Sequence, residues 1–301
     1  MLDNRMSTTY SLENLKHYHS EAIQFFGAEL MLMKEAIHLI TDDRISKTAT
    51  LLISGGQTGA AFLQLASQVE NFTSESVMLA RSFMETITNF CYASICDEKE
   101  FRAFILHPIY KYYFKVGFHL SEDINNYENY KEYAEAIKEK REKLKQNPIV
   151  QEALTMFSET KPNLTWTKKS LSERIKELEK WGKFLDVFFS LNKIQYYSDA
   201  SEALHGSLYG CTYYLGTFDP DFDHTNKEAF YKKLYKDNTC LILHLGTLIH
   251  ESLTLIKYSN DISDIWNHSY KKRGQAINLL SHIQEITPTK VLDTYFQAKI
   301  N

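Results

Sequence analysis

Apolar residues recur every three or four positions over most of the chain, a period that predicts helices near 11–40, 46–69, 75–95, 98–120, 122–146, 170–192, 196–210 and 226–258. In the first, Leu15, Tyr18, Ile23, Phe26, Leu30, Met33 and Ile37 form the stripe expected to face a core. His17, His19 and His38 have no acidic or thiol partner at ligand spacing, so solvated or capping roles are expected of them. Asn147-Pro148 opens a short helix ending near Phe157, and one or two further helices follow Asn260. No run of alternating β-branched residues interrupts this pattern. The expected fold class is all-α, a multi-helix bundle of long helices.

Polar and breaker residues punctuate the pattern. Asn71 to Ser74 reads as a break, with Thr73 or Ser74 capping the next helix and Glu75 in its first turn. His107-Pro108 should interrupt the helix begun at Asp97, because proline has no N–H for the ladder. Thr160 to Thr167, with Pro162, is the best linker, so 1–301 is read as one helical domain whose subdivision, if any, falls near 160–167.

Three stretches carry candidate chemistry that their context argues against. Leu51 to Ala61 is similar to the Ser-Gly-Gly-Gln-Thr-Gly opening of a Rossmann-like nucleotide-binding group, in which Gly55, Gly56 and Gly59 would cradle a phosphate. No strand–helix alternation follows, and there is no Walker lysine. A helix whose small residues admit a close neighbour is the preferred reading. Tyr110 to Lys115 could stack bases and hold phosphates, but a core face with snorkelling lysines is the commoner use of such a cluster. Asp219, Asp221, Asp223 and His224 alternate as in a calcium loop, without its sixth-position glycine or closing glutamate, so a polar loop is expected.

Composition narrows the classes further. The 301 residues are 44% hydrophobic and 24% charged, ordinary for a globular protein, and only 5 Pro and 11 Gly suit long helices. A net charge of −4 gives no overall attraction to nucleic acid, so any such contact needs a local basic patch. Cys91, Cys96, Cys211 and Cys240 form no C-x-x-C pair, and reduced thiols in a cytoplasmic protein are expected. Cys240 to Ile256, the most apolar stretch, is broken by His244, His250 and Glu251 and reads as too short and polar to span a bilayer. Neither a metal nor a cofactor is expected.

The candidate site lies on two helices. Arg81 and Glu85 sit one turn apart on the flank of a stripe made by Val77, Ala80, Met84, Ile87 and Cys91. That helix is apolar nearly all round, and buried charges need partners. The comparable polar notch is Tyr197, Ser201 and His205, again at one-turn intervals. As a catalytic set, His205 is the general acid or base, Arg81 clamps a phosphate, and Glu85 orients Arg81 or the imidazole. Tyr197 and Ser201 supply neutral hydrogen bonds. These roles fit metal-independent RNA cleavage through the 2′-hydroxyl. Acyl transfer with Ser201 as nucleophile fits less well, since an i,i+4 pair on a helix exposes no nucleophile elbow and no oxyanion hole can be named.

The pairing of L-x-R-S-x-x-E at Leu79 to Glu85 with S-x-x-x-H-G-S at Ser201 to Ser207 resembles an uncharacterised family of bacterial all-helical proteins often placed near HEPN-like proteins. The resembling region runs from about Ile45 to Leu215. The likeness implies a HEPN-like helical core and an RNase of toxin–antitoxin or antiphage systems, with RNA and a protein antitoxin as partners and homo-oligomers within range. HEPN enzymes carry Arg and His four to six residues apart on one helix, whereas here no His follows Arg81 at that spacing. The alternative is a non-enzymatic binding or regulatory protein whose Arg81–Glu85–Ser201–His205 network fixes helix register.

Overall fold

The computed structural model describes residues 10–118, 128–158, 165–181 and 225–283. Among them the regular elements are all helices: α1 (Leu12–His38), α2 (Asp43–Ala66), α3 (Val69–Ile95), α4 (Glu98–Phe118), α5 (Glu128–Lys145), α6 (Pro148–Met156), α7 (Leu171–Glu179), α8 (Lys227–Lys257) and α9 (Ser263–Ile283). The chain is an all-α bundle. It divides into two compact units, Met1–Tyr92 with Leu171–Asn301, and Ala93–Ser170.

In the first unit, side chains cap the helix starts, Asp42 beginning α2 three residues before the expected position 46. Ser11 accepts a hydrogen bond from the Asn14 N–H at 3.1 Å, Asp42 from Ile45 at 2.8 Å and Asn226 from Ala229 at 3.0 Å. The core is keyed by Phe26 of α1, whose ring meets Phe62 of α2 edge-on at 5.4 Å and Phe83 of α3 at 5.6 Å. The glycines of the Ser54–Gly59 motif lie inside α2, where a β-carbon on Gly59 would sit 2.8 Å from Leu30 and 3.1 Å from Phe83, and one on Gly55 3.1 Å from Ile87. They are packing glycines on a helix, not a strand-to-helix phosphate loop. Gly59→Leu is therefore expected to destabilise by ~2 kcal/mol, overpacking outweighing the ~1 kcal/mol gained in helix propensity. Urea unfolding checks this, and unchanged stability would mean that α1, α2 and α3 do not meet there.

Helix α8 is buried without interruption from Asn238 to Leu253. By length and composition it is apolar enough to cross a bilayer, which corrects the expectation for Cys240 to Ile256. Within the protein 94% of its apolar window is covered, α1 and α9 being its main neighbours, and this core position accounts for the composition.

In the second unit Ala103, Leu106 and Tyr110 of α4 pack on Ala153 and Phe157, with a forked Arg102–Glu152 pair at 2.7 and 2.5 Å on the surface. Of the aromatics in this stretch Tyr110 and Phe114 serve this core, whereas Tyr112 is 47% exposed. Tyr110 and Tyr113 are buried, and Arg141 of α5 lies 4.8 Å over the Tyr113 ring.

Three local expectations are corrected. First, α4 runs through Pro108, because the buried Leu106 and Tyr110 hold both flanks of the proline against one core. Second, the break expected at Asn71 to Ser74 is present as the non-helical Phe72 (φ −131°, ψ 36°), where two helical pieces of α3 meet at a kink, but the Thr73 hydroxyl donates to the Val69 carbonyl at 2.6 Å instead of capping the next piece. Third, the buried face of α1 is Leu15, His19, Ala22, Phe26, Glu29, Leu32, Met33 and Ala36. His19 is thus a core residue bonded to Asn238 at 3.0 Å. Burial holds its pKa below the usual value.

A candidate anion site on helix α3

The inward face of α3 is sealed by Val77, Ala80, Phe83, Met84, Ile87, Phe90 and Cys91, all 4% exposed or less. Along its flank run Arg81, Glu85 and Asn89, each one turn of about 6 Å from the next. The Arg81 Nε–H and Nη2–H both donate to Glu85 Oε1, each at 3.4 Å, with the two side chains 16% and 38% exposed. The pair foreseen from the one-turn spacing thus forms, at the margin of the core where one partner still reaches solvent. Asn89 Oδ1 accepts a hydrogen bond from Arg174 Nη1 of α7. Two guanidiniums are thereby held over consecutive turns of one helix, one by a carboxylate and one by a neutral amide.

Guanidiniums fixed at that interval present N–H forks suited to phosphate oxygens. Asn89 and Arg174 were not among the expected residues. A signal for Asn89 existed, since it continues the Arg81–Glu85 row by one turn. Arg174 gave none beyond being a charge between the core residues Leu171 and Ile175. Tyr197, Ser201 and His205 lie outside the described residues, as do Asp219 to His224. Among the described residues no group of three or more His, Cys, Asp or Glu side chains could hold a metal ion.

A second polar cluster, absent from the sequence reading, joins α1, α8 and α9. Ser269 Oγ–H donates to Glu29 Oε2 at 2.6 Å and lies 2.8 Å from His250 Nδ1. One turn from Ser269, Arg273 Nη2 pairs with Glu251 Oε1 at 3.2 Å. Burial pushes Glu29 and Glu251 up to about 7 and His250 down to about 3, with Ser269 opposing the first and Arg273 the second. The order is carboxylate–hydroxyl–imidazole, with the serine in the middle. Glu29, Ser269 and His250 are at most 1% exposed, so no substrate reaches the hydroxyl. The cluster locks the register of three helices, and the only hint of it was that Glu29, His250 and Glu251 fall on otherwise apolar faces.

No curated protein and no solved structure matches the chain. One family does, over residues 56–223, a span that takes in Arg81, Glu85, Asn89 and Arg174 together with the 197–207 stretch, while α1, α8 and α9 fall outside it. That span exceeds half of the sequence, and the protein belongs to the family described as Family of unknown function (DUF5677).

Proposed function

We propose that the protein is a metal-independent ribonuclease of the toxin type, HEPN-like in its core and acting in the cytoplasm in bacterial defence. The observation that carries this reading is the Arg81–Glu85 pair, a guanidinium kept on the flank of a sealed helix and oriented by a partly exposed carboxylate. In the proposed reaction the 2′-oxygen of RNA attacks the adjacent phosphorus and the bond to the 5′-oxygen breaks. The products are a 2′,3′-cyclic phosphate and a 5′-hydroxyl. His205 takes the 2′-hydroxyl proton as general base and returns it as general acid to the leaving 5′-oxygen, a pair of roles suited to an imidazole. Arg81 neutralises the phosphorane charge, Glu85 keeps the guanidinium in place, and Tyr197 and Ser201 orient the phosphate by hydrogen bonds. An enzyme of this kind is held in check by a protein antitoxin, and a homo-oligomer would set two such sites side by side.

One observation favours a second reading. The Arg81 charge is already met by Glu85, as it would be in a non-enzymatic binding protein whose network only fixes helix register. His205→Ala separates the two. As a ribonuclease, the variant loses RNA cleavage and cellular toxicity while its melting temperature stays nearly unchanged. As a register lock, it loses ~1–3 kcal/mol of stability and has no activity to lose. Full cleavage by a stable variant would refute the proposed catalysis.

A further inference from the structure

The first unit carries an aromatic platform that the reading above does not use. At the start of α9, Trp266 and Tyr270 stand one turn apart with their rings stacked, centroids 5.3 Å apart and planes 19° from parallel. The Trp266 Nε1–H donates to Thr254 Oγ1 of α8 at 2.9 Å, which fixes the indole, and Lys257 Nζ lies 3.6 Å from the centre of its ring. Beneath them the His250 ring lies 5.5 Å from Trp266 and 6.0 Å from Tyr270. The stack is thus rigid on its inner side. On its outer side Tyr270 is 55% exposed.

The next position in the same helical row is Gly274, where an added β-carbon would meet nothing within 4 Å among the described residues. The row therefore reads indole, phenol, open slot. A third flat ring placed over Gly274 would continue the stack without displacing anything. Lys271 follows Tyr270 and Lys257 lies over the indole, with Asp261 and Asp264 the nearest acids on this segment, while Lys272 faces Glu21 and Gln24 on the α1 side of the helix. Arg273 turns inward to Glu251.

We infer that this platform binds single-stranded nucleic acid, one base stacking on Tyr270 over Gly274 while the neighbouring phosphates meet Lys271 and Lys257. Base stacking on exposed rings beside lysines is the recognition mode of sequence-tolerant single-strand binders. The inference does not depend on cleavage.

The test uses the full chain and a short fluorescent oligodeoxythymidylate, whose backbone lacks the 2′-hydroxyl that the proposed reaction needs. Binding followed by anisotropy should weaken with salt and quench tryptophan emission. Tyr270→Ala should lower affinity by about tenfold, and Tyr270→Phe should keep it within about twofold. Gly274→Leu fills the slot at a solvent-facing position, so it should leave melting unchanged or raise it while lowering affinity by about tenfold. Absence of binding, or binding indifferent to both Tyr270→Ala and Gly274→Leu, overturns the inference. So does a change from dimer to monomer in Tyr270→Ala, which would make the platform a contact between copies of this chain.

Discussion

Arg273→Met is expected to lower stability by ~3–5 kcal/mol at pH 8, because it strips a buried carboxylate of its counter-charge while leaving the side-chain volume nearly intact. Glu251 is 2% exposed in the most buried helix of the protein, and Arg273 Nη2 stands 3.2 Å from it. Burial already raises Glu251 from 4.5 to about 7, and Arg273 is what keeps it from rising further. A carboxyl group whose folded value is raised contributes stability below its unfolded value, and that contribution is lost as pH rises through the folded value. Without Arg273 the folded value rises, so the loss at pH 8 deepens. Near pH 5 the Glu251 proton is retained in both proteins and the deficit shrinks. Glu29, raised, also bends each stability curve but is common to both proteins, whereas His250 is held down in part by Arg273, so its folded value rises in the variant and the deficit near pH 5 shrinks further. Urea unfolding at the two pH values measures it. The double variant Arg273→Met/Glu251→Leu should recover much of the loss, since both charges are then gone. An equal deficit at both pH values would show that Glu251 is not the group left exposed.

Arg81→Ala is expected to reduce RNA cleavage by ~100- to 1,000-fold, the usual effect of removing one donor from a developing phosphorane or oxyanion. Arg81→Lys should restore only part of that, because a point charge replaces a fork that reaches two oxygens at once. Stability should move by about 1 kcal/mol or less, since the bond partner is an i,i+4 glutamate that is 38% exposed and the contacts are long at 3.4 Å. A change of several kcal/mol with no change in cleavage would place Arg81 in the frame of the protein and outside its chemistry.

The fold was legible because periodicity marks helices wherever one face is apolar, and the ends of α1 and α8 and the later part of α3 follow from that pattern, whereas α2 (Asp43–Ala66) lies three residues before the expected 46–69 because Asp42 caps it. It failed where packing overrides a local rule. Pro108 sits inside α4 because Leu106 and Tyr110 on either side of it are buried. The face of α1 was assigned one position off at its polar residues, since a hydrophobic count cannot see that His19 and Glu29 are buried against partners far along the chain, Asn238 and Ser269. The same limit applies to the site. Arg81 and Glu85 are neighbours on one helix, and their contact could be read from spacing. Asn89 and Arg174 are 85 positions apart, and only the fold brings them together.

The most direct measurement is a double-mutant cycle on metal-free RNA cleavage, comparing Arg81→Ala, His205→Ala and the protein carrying both. If the guanidinium and the imidazole act on one phosphate, the doubly substituted protein cleaves no more slowly than the slower single variant, because residues acting as a unit are not additive. Losses that multiply, or a single variant that cleaves like the unaltered protein, would show that Arg81 and His205 do not share a site.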